Sequence, residues 1–599
     1  MMLMDFFAGL VALALLLLPG WLAARAARVP CPLLAGFVAS AVALMSLVLL
    51  LNALNVRLTF VHCGTSWLVL TLLVGWLARK SLWDPSAARA ISPFAWRDHW
   101  PLLLVVVPAL LVVAYRATTQ PLFGIDTVFR WNYLAQQMFA HGDLGFYPPV
   151  TGADYEIYSW PDGISPVVSS LYFWTYGLAG ATRPALTAPI VIFQYCLLLT
   201  AVFALARKLF SPRAAVFACA LLACSPVVGW ATAMGQETGL SAIALVALLL
   251  YLPRDRSEET DALAVSAGLA AGLGALAREY GLALILLGLG LAWARRLSPR
   301  IVLLFAGAAA LATVPWYGRN WIRTGNPLFN LDLGGLFPVN QVQNWMNQSY
   351  QAEFGWSQVT PAALRFLLVN CCVALAGGLA GAWLYFRSTR ALLAAILLVV
   401  AIWAASLGYT AAGFTTAIRV LSPALVLGAV LGGAAVARWI PERRHLAGVT
   451  LALGVLALDA ALRALTLPGT VYKISPADWL TAGGAVHEYH QRPVYLQIAR
   501  AAGTQRLLVL GPNALLTLQG ARTLPLWSPE VGFLFDARLT APETARRLRA
   551  AGIGFVLLNR GSPNERFLAH SAYFRDPGDT LHMAWGDGDM VLLQVADPK

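Results

Sequence analysis

Long apolar segments recur from the N-terminus to about residue 467, and no other feature of the sequence constrains the fold as strongly. A membrane span needs about 20 predominantly apolar residues, and many of these segments approach that length. Only 12% of the residues are charged, whereas soluble domains average about 25%. Because a water-soluble core cannot enclose so much apolar chain, the sequence predicts a multi-pass α-helical membrane protein.

The apolar segments predict about fourteen spans. They lie near residues 3–22, 33–54, 63–78, 100–115, 184–207, 214–231, 238–252, 262–277, 279–296, 301–317, 361–385, 391–410, 419–437 and 446–466. Short cytoplasmic loops carry an excess of Lys and Arg. With alternating spans, the basic loop residues fall on one side, which is therefore predicted to be cytoplasmic: Arg25, Arg28, Arg79, Lys80, Arg207, Lys208, Arg213, Arg254, Arg256, Arg295, Arg296, Arg300, Arg387, Arg390, Arg438, Arg443 and Arg444.

The chain divides into three predicted regions. Residues 1–99 form extra N-terminal transmembrane helices, residues 100–467 form the main transmembrane domain, and residues 468–599 form a small extracytoplasmic α/β domain. Apolar runs at 506–511, 554–559 and 590–595 are typical of strands, and 541–551 is typical of a helix. Residues 467–599 contain 13 Lys and Arg against 11 Asp and Glu, so most of the net charge of +13 lies in the membrane part. Membrane insertion explains that charge, and no nucleic-acid partner is expected.

Two predicted outer loops, at about 116–183 and 318–360, carry most of the polar candidates. In the first loop, apolar residues at helical spacing predict interfacial helices at 127–140 and 166–180, which would lie on the bilayer surface. Asp126 opens the first of these helices, where a carboxylate would meet a lipid-linked substrate. Its candidate roles are general base, metal ligand beside a lipid phosphate, or helix N-cap.

Further polar residues of the first loop are candidates for substrate or metal contact. Asp154 and Glu156 lie two residues apart, Asp162 follows in a Trp-Pro-Asp-Gly turn, and Arg130 lies in the first helix. Carboxylates so close together suit a divalent cation or a sugar hydroxyl. Solvated loop acids are the alternative interpretation.

Ionisable residues also interrupt apolar stretches at the predicted outer ends of helices. These residues are Glu237, Arg278 and Glu279. Charges at membrane depth are expensive and mark functional sites by default. A structural ion pair of Arg278 with one of the two glutamates is the alternative interpretation.

Three further arginines lie on the predicted outer side. Arg319 and Arg323 share one helical face, and Arg419 begins a later span. Because arginines are disfavoured on that side, we predict that they bind an anion. A phosphate fits a guanidinium well, since two parallel hydrogen bonds can form. Contact with lipid headgroups is the alternative.

Four sequence elements resemble the C-type glycosyltransferase (GT-C) superfamily, which includes protein O-mannosyltransferases and the lipid A aminoarabinose transferase. The first two are the Asp that opens a helix in the first outer loop (Ile125-Asp126-Thr127) and the Pro-rich stretch after it, with Tyr147-Pro148-Pro149 and Trp160-Pro161-Asp162. PWYGRNWIRTGNPLFN (315–330) is similar to the family's PWxxRNxxxTGNP element, and IRVLSPALVLGAVLGG (418–433) is similar to its Arg-containing helix. The resemblance covers about residues 100–599.

The resemblance implies an enzyme that moves a sugar from a polyprenyl-phosphate donor to a lipid, glycan or protein acceptor, with inversion. The protein would lie among the lipids of a bacterial cytoplasmic membrane, with its active site facing outward. Asp126 would be the base, and Arg278, Arg319, Arg323 and Arg419 would bind the donor phosphate. A divalent cation (Mg, Mn, Ca or Zn) on Asp126, Asp154 and Glu156 is a possible cofactor, and no nucleotide cofactor is expected. An O-antigen ligase or polymerase, a transporter of an anionic solute and an inactive scaffold are the alternatives.

Overall fold

The structure, a computed structural model, describes residues 2–82, 102–407, 413–440, 446–467, 492–510, 516–517, 520–560, 563–588 and 590–596. Within these residues, nine helices are long and apolar enough to cross a membrane. They are Leu3–Ala26, Pro32–Ala53, Phe60–Ser81, Leu102–Thr119, Pro184–Leu209, Pro299–Thr324, Pro361–Tyr385, Gly413–Trp439 and Leu446–Thr466. The multi-pass helical prediction agrees with this architecture.

The remaining predicted spans coincide with shorter or bent helices. Pro212–Ala223 and Pro226–Ala233 meet at 70° and together pass as one broken span. Four apolar helices are shorter than a full span: Glu237–Tyr251, Asp261–Ala277, Glu279–Ala294 and Arg390–Ser406. Every predicted segment therefore overlaps a helix, but the count of fourteen spans stays a prediction.

The centre of the bundle is formed by helices that contact other helices on all sides. Every residue of Glu237–Tyr251 is buried, and 83% of the most apolar window of Gly413–Trp439 is buried, against 11% for Phe60–Ser81. A helix that is apolar all round belongs in such a position. The polar residues that begin these two central segments are consequently held inside the protein.

Loop contacts divide the two ends of the bundle as the charge pattern predicts. At one end Lys208 Nζ lies 3.2 Å and Arg254 Nη2 lies 2.5 Å from the carboxylate of Glu258. At the other end the N-terminal helix is joined to the first loop, because Arg183 donates two hydrogen bonds to Asp5, of 2.6 and 2.9 Å. Arg183 directly precedes the helix Pro184–Leu209 and Lys208 lies in its last turn, so these two sets of contacts lie at opposite ends of the bundle.

The first loop folds into four short helices: Ile125–Phe129, Trp131–His141, Gly152–Ile157 and Val167–Ala179. The two predicted interfacial helices exist, although the first is broken at Arg130. Residues 131–138 and 167–176 are buried within the protein, and the placement of these helices on a bilayer surface stays a prediction. Tyr176 of one donates a 2.6 Å hydrogen bond to Asn132 of the other, and the N-terminal helices Met2–Ala26 and Pro32–Ala53 pack against Val167–Ala179.

The second loop contributes the helix Gln341–Phe354, and the C-terminal region folds around one sheet. The strands are β1 (Arg506–Val509), β2 (Thr523–Pro525), β3 (Ile553–Asn559), β4 (Leu581–Asp587) and β5 (Met590–Val595), in the order β2-β1-β3-β5-β4. The β1 pairings are parallel and the β5 pairings are antiparallel. Helices Arg492–Ala502, Ala541–Ala550 and Ala572–Arg575 accompany the sheet.

Three predicted strands and the predicted helix are present, which supports a small α/β fold. Both edge strands were missed by the sequence analysis. β2 has three residues and ends in a proline. Because proline has no N–H to donate to a neighbouring strand, it is confined to edge strands of a sheet. β4 is mostly exposed and lacks the apolar alternation that identifies a half-buried strand.

Candidate active site

Asp126 is the second residue of the five-residue helix Ile125–Phe129, which begins directly after Gly124. Its Oδ2 accepts a 2.6 Å hydrogen bond from Arg419 Nη2, and Arg419 donates from Nη1 to the Gln236 side chain. A Cβ on Gly124 would lie 2.2 Å from Gln236 Nε2, so glycine permits this close approach. The Asp126 side chain is 21% exposed, which leaves the carboxylate open to a reactant.

The electrostatic environment keeps Asp126 ionised. Burial raises the pKa of its carboxyl, but the charges of Arg419 and Arg130 and the hydrogen bond from Arg419 lower it by more. The net pKa therefore lies below the ordinary value for an aspartate. A carboxylate that stays charged at neutral pH can accept a proton from a hydroxyl placed beside it.

Arg278 joins a second set of charges to this pair. It follows the end of helix Asp261–Ala277 and lies 4.0 Å from Glu237 Oε1, at the start of the buried helix Glu237–Tyr251. Its Nε lies 3.4 Å from Glu279 Oε2. Arg278 is also close enough to help lower the pKa of Asp126. Four segments distant in sequence thus meet in what we name the Asp126 cluster: Asp126, Gln236, Glu237, Arg278, Glu279 and Arg419.

Several buried polar atoms of the Asp126 cluster lack a hydrogen-bond partner within the described part of the chain. They are Gln236 Nε2, Glu237 Oε2 and Arg278 Nη1. Buried polar atoms in native proteins are nearly always paired, and each exception needs an explanation. These atoms suit a polar ligand, because Gln236 Nε2 and Arg278 Nη1 can donate hydrogen bonds and Glu237 Oε2 can accept one.

Arg130 and Asp162 form an ion pair beside the Asp126 cluster. Arg130 Nε donates a 2.7 Å hydrogen bond to Asp162 Oδ2, while the hydroxyls of Tyr147 and Tyr158 lie 2.8 and 3.3 Å from Oδ1. Burial raises the pKa of Asp162 in spite of the Arg130 charge, and it also raises the pKa of both tyrosines. The sequence analysis named Tyr147 only within a Pro-rich motif and assigned a site role to neither tyrosine, although the many tyrosines of this loop were a signal for them.

Arg319 and Arg323 are not brought to the Asp126 cluster. Arg319 donates to the backbone carbonyls of Tyr147 and Leu144, at 2.5 and 2.7 Å. Arg323 donates to the carbonyl of Pro148 at 2.6 Å and to Asp154 Oδ2 at 2.9 Å. In the structure the two arginines donate to backbone oxygens of the first loop, and their phosphate role stays a prediction. We name Arg319, Arg323 and Asp154 the loop clamp.

The side chains of Asp154 and Glu156 also form ion pairs with arginines of this chain. Asp154 also completes a capping box with Thr151 at the start of helix Gly152–Ile157. Glu156 Oε1 lies 2.6 Å from Arg506 Nη2 of the C-terminal region. Since Asp126, Asp154 and Glu156 each pair with a different arginine, they do not fit a shared cation site. Among the residues that the structure describes, no group of three or more His, Cys, Asp or Glu side chains could hold a metal ion.

An apolar crevice opens beside the Asp126 cluster between the helices. Its lining includes Ser241, Gly274, Tyr280, Leu284, Val399 and Val420. Val420 follows Arg419 directly, and Ser241 lies one helical turn beyond Glu237. Its volume is about 30 Å³, so it provides a small apolar surface beside the charged groups and no channel for a long chain.

Comparison with protein families gives one match to this chain. A model of the dolichyl-phosphate-mannose-protein mannosyltransferase family matches residues 165–318, which include Glu237, Arg278 and Glu279. The comparison with curated proteins gives no match at the significance applied.

Solved membrane enzymes share the fold. ArnT from Cupriavidus metallidurans in the apo state is 15% identical, with a TM-score of 0.52 over 83% of this chain and 98% of that chain. The same protein bound to undecaprenyl phosphate is 14% identical over the same shares, with a TM-score of 0.46.

The archaeal oligosaccharyltransferase AglB from Archaeoglobus fulgidus, in complex with an inhibitory peptide and a dolichol-phosphate, is a further match. It is 14% identical over 77% of this chain and 70% of that chain, with a TM-score of 0.47. The family match over residues 165–318 and the fold shared with apo ArnT agree with the sequence resemblance to the GT-C superfamily.

Proposed function

We propose that this protein transfers a sugar from a polyprenyl-phosphate donor to a hydroxyl-bearing lipid, glycan or protein acceptor. The observation that carries the proposal is the Asp126 cluster, in which an ionised carboxylate adjoins two arginines and unpaired buried polar atoms. The description of the matched family names a dolichyl-phosphate-linked donor, which is chemistry of this kind.

The reaction follows from the charges present. Asp126 accepts the proton of the acceptor hydroxyl as that oxygen bonds to the anomeric carbon. The bond between the anomeric carbon and the phosphate oxygen breaks, and polyprenyl phosphate leaves with the electron pair. Arg278 and Arg419 stabilise the negative charge that develops on the phosphate, because preorganised cations in a partly desolvated site act strongly on such charge. Direct displacement in one step inverts the anomeric configuration.

We place this chemistry on the outer face of a bacterial cytoplasmic membrane, with residues 468–599 as an extracytoplasmic domain. The support is the charge pattern, since the basic loops lie at the end of the bundle opposite the Asp126 cluster. The C-terminal region contacts the first loop through Glu156 and Arg506, so it lies at the same end as that loop.

The test is transfer by the purified protein from a panel of radiolabelled polyprenyl-phosphate sugars. We expect one donor to release polyprenyl phosphate and to label an acceptor from envelope extracts, with Asp126→Asn as the inactive control. Parallel reactions with a chelator determine whether a divalent cation is required. Sugar movement into sealed vesicles without cleavage of the donor would instead show a transporter and refute the proposal.

A further inference from the structure

Trp527 of the C-terminal region contacts the first loop at the segment that leads to Asp162. Its indole Nε1 donates a 2.6 Å hydrogen bond to the carbonyl of Ser159, and its ring lies 5.1 Å, edge to face, from the ring of Trp160. Trp527 is only 1% exposed. Its own carbonyl accepts a 2.7 Å hydrogen bond from the side chain of Asn340 in the second loop.

Trp160 also contacts the end of the helix that contains Asp126. Its ring lies 5.2 Å from the ring of Phe129, and the guanidinium of Arg130 lies 5.1 Å from the ring centre. The backbone N–H of Arg130 in turn donates a 2.9 Å hydrogen bond to the carbonyl of Asp126. Trp160 therefore contacts the C-terminal region on one side and the end of the Asp126 helix on the other.

A second contact holds the C-terminal region beside Trp527. Arg506, which begins strand β1 and is 9% exposed, lies 2.6 Å from Glu156 and donates to Glu530 at 2.5 and 2.9 Å. Glu530 follows Trp527 by three residues, and a Cβ on Gly152 would lie 2.1 Å from its Oε2. An arginine shared by two carboxylates fixes the spacing of the elements that carry them.

We propose that Trp527 is a positioning residue of the active site, which orients Asp126 through Trp160 and Arg130. The inference rests on the proposed function, because it concerns the geometry of the proposed base. Trp527 touches neither reacting group, but it contacts a loop segment that lies against both Arg130 and Phe129. A displacement of about 1 Å in a catalytic group can cost about 100-fold in rate. The C-terminal region is then part of the catalytic apparatus and not only an attached module.

The experiment uses the full-length protein in detergent, with Trp527→Phe as the main variant. Phenylalanine keeps an aromatic ring against Trp160 and removes the N–H that Ser159 accepts. Trp585→Phe is the matched control, because Trp585 lies in edge strand β4 of the same region and outside these contacts. Glu156→Gln is a second variant that weakens the contact with Arg506 and leaves Trp527 in place.

Three quantities are measured: kcat for sugar transfer, the Kd for undecaprenyl phosphate, and deuterium uptake of residues 155–165. In Trp527→Phe we expect kcat to fall by about 10- to 100-fold, uptake to rise and the Kd to stay unchanged. Glu156→Gln should shift kcat and uptake in the same directions by less, and Trp585→Phe should match the wild type.

Unchanged kcat in Trp527→Phe, an equal fall in Trp585→Phe, or a parallel loss of undecaprenyl phosphate affinity overturns the inference. If Trp527→Phe does not fold, the Glu156→Gln result decides in its place, and unchanged kcat and uptake there have the same meaning. If the wild type transfers no sugar, the proposed function fails. The deuterium uptake of residues 155–165 still tests the contact, and unchanged uptake in Trp527→Phe refutes it.

Discussion

The Asp126 cluster and the loop clamp both pair arginines with an aspartate but differ in how far their hydrogen bonds are completed. Each combines arginines with an aspartate near the first loop, and each was predicted to bind a phosphate or a metal. The loop clamp gives its donors to three backbone carbonyls and to Asp154. The Asp126 cluster leaves buried atoms of Gln236, Glu237 and Arg278 unpaired within the described chain. Arginine on the outer side is therefore weak evidence for a ligand site, whereas an incomplete buried network is stronger evidence.

The largest expected effect is on the rate of transfer, which should distinguish Asp126 from Asp154. Asp126→Asn removes the proposed base, and we expect transfer to fall by about 10²–10⁴-fold, the usual contribution of a positioned general base. Asp154→Asn removes a partner of Arg323, and we expect its kcat to stay within a few-fold of wild type while the protein becomes less stable. The measurement is initial-rate transfer together with thermal unfolding for both variants. Near-normal turnover in Asp126→Asn would remove the base assignment.

The second largest expected effect is on affinity for the donor, in which the arginines of the Asp126 cluster and of the loop clamp should differ. Arg278→Gln removes a charge from the Asp126 cluster, and a charged hydrogen bond to phosphate contributes about 1.5–3 kcal/mol. We therefore expect the Kd for undecaprenyl phosphate to rise by roughly 10- to 100-fold. Arg319→Gln should leave that Kd unchanged. Isothermal titration calorimetry measures the Kd of both variants. Weaker binding in Arg319→Gln alone would support the predicted phosphate role of Arg319 instead.

The pH dependence of transfer gives a smaller effect that tests the neighbouring ion pair. Burial places the pKa of Asp162 above the ordinary 3.8, whereas the arginines hold that of Asp126 below it. As pH falls, Asp162 therefore becomes protonated first, and Arg130 loses its charged partner while Asp126 is still ionised. We expect the acid limb of the kcat profile to follow Asp162 and to move to lower pH in Asp162→Asn. An unmoved acid limb would contradict this order of protonation.

Much of the fold could be predicted because apolar periodicity and loop charge are local signals. Each predicted apolar segment overlaps a helix, and the interior strands β1, β3 and β5 were identified from their apolar runs. Burial of the loop helices could not be predicted in the same way. The stripe of apolar residues in Trp131–His141 indicated one covered face, but the other faces are covered by elements distant in sequence, such as Val167–Ala179.

The site was predictable in its residue types and not in its pairings. The cost of charge at membrane depth identified Glu237, Arg278 and Glu279, which the structure brings together. The choice of partner depends on tertiary geometry. Arg319 and Arg323 donate to backbone carbonyls in residues 144–148, which form neither helix nor strand. A sequence does not show which backbone carbonyls will need a side-chain donor.

The smallest effect on activity, and the clearest on stability, is expected for Arg319→Ala. The substitution removes the Arg319 donor from the carbonyl of Tyr147 and one of two donors from the carbonyl of Leu144, which still accepts from the Tyr147 N–H. An unsatisfied buried acceptor costs about 1–3 kcal/mol. We expect a lower unfolding temperature of the free protein, while the increase in that temperature on adding undecaprenyl phosphate stays as large as in the wild type. Arg278→Gln should show the reverse pattern, with a smaller ligand-induced increase. If Arg319→Ala instead loses the ligand-induced increase, the loop clamp contributes to the phosphate site and the distinction between the two regions fails.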